Sequence, residues 1–325
     1  MKLLITAIAL AVPTAFYIGF IRSIDRYEKE PPAYLAYAFI WGAIPAIVAA
    51  LILQIVFSIP VMLLLGEATL ESEFVQAAFG APITEELLKG MAVAIIYLTQ
   101  RKEFDGWVDG IVYGAMAGFG FAYVENIFYL MGTSTWEEWG VLFLLRTIVF
   151  GGLHGFWTAL TGIGFGLARY RHNPFIKVML MTGGLLLAMA GHFIHNAAVT
   201  LVELTEGTSF LLALLNYGAL LLVMGGLWLV AFWVDRARLR QYLQDEVPMV
   251  LSSKIYEAIC DRRRWQMLKR LGLPKKQQRD LLQLSAELAQ KKLQLQKMGD
   301  EGGNQREIDR LRQAIQAVHP PLGSG

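Results

Sequence analysis

Long apolar runs separated by short polar breaks occupy the first 234 residues. A helix needs about 20 mostly apolar residues to cross the hydrocarbon layer. Seven stretches reach that length, near 3–21, 33–58, 75–98, 107–131, 141–168, 175–202 and 209–234. The breaks between them are short, so consecutive helices are expected to be antiparallel neighbours. The pattern predicts an all-α, polytopic membrane bundle of about seven spans over residues 1–234. From 235 onward the period changes. Leu281, Leu284, Leu288, Leu295 and Met298 follow helical spacing, interrupted by Lys291. A Gly-Asp-Glu-Gly-Gly-Asn break (299–304) precedes Ile308, Leu311, Ile315 and Val318. Residues 235–325 are thus expected to form a soluble helical hairpin or a short coiled coil.

Composition agrees with an oily body: 55% of the chain is apolar, 17% is charged, and the mean hydropathy is +0.44. Soluble domains are about one quarter charged. A disordered chain and an ordinary nucleic-acid-binding domain are excluded. A disulfide module is excluded too, because Cys260 is the sole cysteine. The charge is divided unevenly. Residues 1–234 hold 11 Lys+Arg against 16 Asp+Glu, and the tail holds 18 against 11. Breaks containing Arg22, Arg26 and Lys29, then Arg101 and Lys102, then Arg169, Arg171 and Lys177 alternate with breaks that have no Lys or Arg. The positive-inside rule therefore predicts an inner-membrane, multi-pass protein with its N-terminus outside and its basic tail in the cytoplasm. The first run resembles a secretory signal around Lys2, Ala7 and Ala9, but its cleavage would leave the basic tail outside, so it is expected to remain as a span. The tail suits a cytosolic partner or self-association. Its Arg262-Arg263-Arg264 run fits either anionic lipid or a solvated face.

Charges inside the spans alter the picture. An ionisable side chain at mid-bilayer costs about 2.5–3.5 kcal/mol on insertion scales. This chain places Glu85, Glu86 and Lys89 in the third run, Glu125 in the fourth, Arg146 and His154 in the fifth, and His192 and His195 in the sixth. Asn126 and Asn196 accompany them. Counted inward from the predicted outer ends, Glu85, Glu125, His154, His192 and Asn196 fall in one slab about 10–20 Å deep at 1.5 Å per residue. Helical spacing lets Lys89 meet both Glu85 and Glu86, and it puts His192 and Asn196 on one face. Gly110, Gly114 and Gly118 form a small-residue stripe that permits close helix approach. Any one of these features alone reads as packing or structural glue; together they predict a polar centre. His195 and His172 are read as structural, and Arg146 as a carboxylate partner or a lining residue of the outer vestibule.

Glu85, Glu125, His154 and His192 suit Zn²⁺ or a similar divalent ion, which would activate water for attack on a peptide carbonyl. A metal-free site is equally consistent with the spacing, with Glu85 as base and the histidines and Asn196 holding the tetrahedral oxygen. Carboxylates on separate helices also suit a transporter or a non-enzymatic scaffold.

Glu85-Glu86-Leu87-Leu88-Lys89, Phe121-Ala122-Tyr123-Val124-Glu125-Asn126, His154-Gly155 and His192-Phe193-Ile194-His195-Asn196 resemble, in order, the blocks of the PrsW family of intramembrane proteases. The resemblance covers roughly residues 75–200. The related CAAX prenyl protease and bacteriocin-processing group has histidine where this chain has Glu125. The resemblance implies an intramembrane endopeptidase whose active-site set is Glu85, Glu86, Glu125, His154 and His192, with Asn196 beside them. It also implies a single-pass membrane substrate such as an anti-sigma factor, cut in an envelope-stress response.

Overall fold

The computed structural model describes residues 1–25 and 29–319. The described residues are helical and contain no strand. They form α1 (Lys2–Arg22), α2 (Pro32–Trp41), α3 (Ile47–Leu65), α4 (Leu70–Phe74), α5 (Ala81–Thr99), α6 (Trp107–Met131) and α7 (Trp136–Leu144). These are followed by α8 (Leu153–Ala168), α9 (Pro174–Thr200), α10 (Thr208–Leu243), α11 (Ser253–Ile259), α12 (Arg264–Arg270), α13 (Lys275–Met298) and α14 (Asn304–Val318). Three π-helical segments interrupt the bundle. Gly42–Ala46 joins α2 to α3, Val75–Gly80 leads into α5, and Leu145–Val149 follows α7.

Six helices among the described residues are long and apolar enough to cross a membrane: Lys2–Arg22, Pro32–Leu65, Trp107–Met131, Trp136–Ala168, Pro174–Thr200 and Thr208–Glu246. The seventh expected span, 75–98, is helical from Val75 to Thr99. It falls outside this set because it holds Glu85, Glu86 and Lys89, all three buried. Composition measures the cost of these side chains to lipid, whereas the fold turns them away from it.

The chain divides into two compact units. The first takes Met1–Ile24 and Glu30–Gly226; the second takes Leu227 onward together with Asp25 and Lys29. In the first unit, α6 is the axis. Its most apolar window is 61% buried, against 11–28% for the other spans. The outer helices turn leucines outward, with Leu63, Leu64 and Leu222 about 80% exposed. Such a surface suits lipid and not water. Around the axis pack α1, α2, α5 and α8. The Gly110, Gly114 and Gly118 stripe lies on the backbone of α8: a Cβ there would come within 2.0 Å of the Gly162 carbonyl oxygen, 2.4 Å of the Thr158 one and 2.2 Å of the His154 one. The two helices therefore meet main chain to main chain, and His154 is carried on the contact. Loop ends are capped locally. Thr69 and Thr135 form capping boxes with Ser72 and Glu138, and Asn173 caps α9.

The second unit is a small helical domain. Leu281 and Leu288 of α13 and Ile308, Leu311 and Ile315 of α14 form its core with Leu239, Leu243, Ile255, Ile259 and Leu268. The expected hairpin is present, and it packs on α11 and α12 as part of a globule. Buried Glu246 accepts hydrogen bonds from Lys292 (2.6 Å) and Arg312 (2.8 and 3.0 Å). Cys260 is buried.

Candidate active site

Five helices bring the polar side chains of the bundle to one place. Glu85, Glu86 and Lys89 come from α5, Glu125 and Asn126 from α6, and His154 from the start of α8. His192 and Asn196 come from α9, and α3 adds Gln54. The breaks nearby explain how the chain reaches this geometry. Gly152 adopts φ 85°, a left-handed conformation open to glycine at little cost, and it starts α8 two residues before His154. The π segments at Val75–Gly80 and Leu145–Val149 hold Ala77 and Arg146, both of which contact site residues. Such segments are frequent at functional sites.

Each histidine spends one ring nitrogen on a carboxylate. His192 Nδ1 lies 3.0 Å from Glu86 Oε1, and His154 Nε2 lies 3.0 Å from Glu125 Oε2. A carboxylate takes the ring N–H, which fixes the tautomer and leaves the other nitrogen as a lone-pair acceptor. Those two inner nitrogens face Glu85. Its Oε2 is 3.9 Å from His154 Nδ1 and 4.0 Å from His192 Nε2. It is buried and has no hydrogen-bond partner among the described residues, while Oε1 accepts from Gln54 Nε2 at 3.0 Å. Trp157 stacks on the His192 ring at 4.1 Å and 10°, which fixes the ring plane.

The outer carboxylates have further partners. Glu86 accepts from Lys89 at 2.6 Å and from the Thr158 hydroxyl at 3.0 Å. Glu125 receives Arg146 at 2.5 Å, and the Arg146 Nε donates to Asn126 Oδ1, also at 2.5 Å. The guanidinium lies 3.7 Å from the Tyr129 ring centroid. Arg146 is thus both a carboxylate partner and a lining residue. Asn196 donates to the Ala77 carbonyl at 2.8 Å. His195 packs edge-on against Phe150.

Three groups could hold a metal together: Glu85, His154 and His192, whose ligand atoms lie within 4.8 Å of one another. Zinc about 2.1 Å from each tetrahedral ligand needs ligand atoms about 3.4 Å apart, so an inward shift of roughly half an ångström closes the set. A Glu85 oxygen without a hydrogen bond and two inward imidazole lone pairs fit a divalent ion, with the Lys89 ammonium beside them, 3.0 Å from His154 Nδ1. Glu125, expected above as a fourth ligand, is not one of these three; its Oε2 is taken by Arg146 and by the His154 N–H. A cavity of about 660 Å³ opens on the cluster, lined in part by Tyr17, Gln54, Glu85, Tyr129, His154 and Asn196. Gln54, Thr158 and Trp157 did not figure among the expected site residues. Gln54 had a signal, being the sole polar side chain between Ala43 and Phe57. Thr158 follows His154 by one helical turn. Trp157 has no signal in sequence.

Residues 30–229 match the model of the PrsW family intramembrane metalloproteases. Curated relatives are each named Protease PrsW. The one from Geobacillus kaustophilus is 30% identical over 146 residues, which is 45% of this chain and 59% of that protein. The one from Clostridioides difficile is 31% identical over 135 residues, or 41% and 53%. The Bacillus subtilis protein is 27% identical over 167 residues, or 50% and 65%. The match covers less than two thirds of each relative. No solved structure matches at the same level of significance. The family match contains every residue of the cluster from Gln54 to Asn196 and more than half of the sequence, and on that ground the chain belongs to the PrsW family of intramembrane metalloproteases.

Proposed function

We propose that the protein is an intramembrane metalloendopeptidase that hydrolyses a peptide bond of a single-pass membrane protein, with Glu85, His154 and His192 holding the metal. The observation that carries this reading is the pair of inward imidazole lone pairs meeting a Glu85 oxygen that accepts no hydrogen bond, each ring held from behind by its own carboxylate. Two imidazoles and one carboxylate suit zinc. A divalent ion bound there would polarise the scissile carbonyl and make water nucleophilic near neutral pH.

The protein's own groups have separate tasks. Glu86 and Glu125 keep the rings aimed. Arg146 neutralises Glu125, so two carboxylates can lie near one another in a medium that strengthens their repulsion. Gln54 holds Glu85 Oε1 so that Oε2 points inward. Asn196 uses one amide hydrogen on Ala77 and keeps the second for a substrate oxygen.

The Lys/Arg bias of the short breaks supports a topology with the N-terminus outside, α5 crossing as the seventh span and residues 235–325 in the cytoplasm. This puts the cluster nearer the outer face. The test compares membranes from cells producing the wild type and Glu85→Gln at matched levels. New N-termini of single-pass proteins, quantified by mass spectrometry, are expected with the wild type alone. The same N-termini with both forms, or none with either, would defeat the proposal.

A further inference from the structure

Lys89 is completely buried. Its ammonium directs its donors at three members of the cluster: Glu86 Oε1 at 2.6 Å, His154 Nδ1 at 3.0 Å and Glu85 Oε2 at 3.5 Å. The Phe121 ring closes the fourth side, with its centroid 4.5 Å away. Two of these contacts are atoms of the metal set. His154 makes the conflict definite. Its Nε2–H belongs to Glu125, so Nδ1 has one lone pair, and that lone pair serves either the ammonium or a metal ion.

Charge counting gives the same result. Glu85, Glu86 and Glu125 oppose Lys89 and Arg146, which leaves a formal charge of minus one when no metal is bound. Without Lys89 it would be minus two. After a divalent ion enters, the cluster with Lys89 stands at plus one, and without it at zero. The lysine thus favours the empty site and disfavours the loaded one. Its four-carbon stem lets the ammonium retreat from His154, while Glu86 remains within reach as its anchor.

We propose that the Lys89 ammonium is a tethered counter-ion that competes with the divalent ion for His154 and Glu85, keeping the metal-free cluster assembled and setting how tightly metal is held. This rests on the metal-site reading given under Proposed function. The test uses the full-length protein in detergent, with zinc titrated against a chromophoric chelator. Lys89→Met and Lys89→Gln are expected to bind zinc about tenfold or more tightly than the wild type, because a nearby positive charge has been removed. In excess chelator both should melt below the wild type, and zinc should raise their melting temperatures more than it raises that of the wild type. Zinc binding by both variants that is no tighter than that of the wild type would overturn the role of Lys89 and leave the metal site standing. Zinc binding in none of the three forms would overturn both. A neutral variant that cannot be obtained folded even with zinc present also overturns the proposal, since the metal must be able to replace the lysine.

Discussion

The two site histidines differ in what stands behind them, and that difference can be measured. Glu86, behind His192, is bound by Lys89 and Thr158 and is wholly buried; Glu125, behind His154, is bound by Arg146 beside the cavity. Neither carboxylate is a ligand in the arrangement proposed here, and both hold a ring N–H. Removing such a support typically weakens metal binding about 10–100-fold. Glu86→Gln and Glu125→Gln are therefore expected to lower zinc affinity by about that range while keeping a one-to-one stoichiometry. His192→Ala or His154→Ala should abolish stoichiometric zinc. Elemental analysis and chelator titration of the purified variants check both. Stoichiometric loss in Glu125→Gln equal to that in His154→Ala would return Glu125 to the ligand set. The residue types of this centre were legible in sequence because lipid makes a charge conspicuous. Their division into ligands and supports was not, since it depends on which ring nitrogen faces which carboxylate.

Helix-scale geometry decides whether those side chains meet at all. The α6–α8 contact is backbone on backbone, and Gly118 faces the His154 carbonyl with room for no Cβ. Gly118→Ala must push α8 outward, and overpacking of this kind costs about 1–3 kcal/mol. The expected outcome is a protein that inserts normally, melts at a lower temperature, and loses zinc affinity and cleavage together because His154 has moved. Gly183→Ala, with open space around its Cβ, is the matched control and should behave as wild type. Melting curves, zinc titration and the N-terminus assay separate the two. At this scale the small-residue spacing in α6 announced the contact, since Gly110, Gly114 and Gly118 recur every four residues. The π segments and the left-handed Gly152 were not announced. They place Arg146, Ala77 and His154 by local departures from 3.6-residue geometry, and hydropathy does not record such departures. The tail shows the same limit. Leucine periodicity located α13 and α14, but their packing against α11 and α12 depends on Ile255, Ile259 and Leu268, which lie in helices of seven residues, too short to carry a periodic signal.

For the whole molecule, the number of crossings decides the topology. Six apolar helices alone would return both ends of the chain to one side. The proposed seventh crossing, α5, would put them on opposite sides, the parity expected from Lys- and Arg-free breaks at 66–73, 132–140 and 203–208 with basic ones between them. The energetic objection to α5 is its three charges, and the fold removes it by pairing them inside: Glu86 and Lys89 are both 0% exposed. The topology can be read by thiol labelling with little background. Cys260 is the sole cysteine, and burial pushes its thiol up to about 11. It is therefore almost entirely protonated and poorly reactive at neutral pH. Single cysteines introduced at Ser134 and Glu206 are expected to react with a membrane-impermeant maleimide in intact cells whose outer barrier has been permeabilised. A cysteine at Arg171 or Gln266 should react only after the inner membrane is opened. Labelling of position 266 in intact cells, with position 134 also labelled, would mean an even number of crossings. It would take α5 out of the membrane, and with it the physical reason for burying Lys89 between two acids.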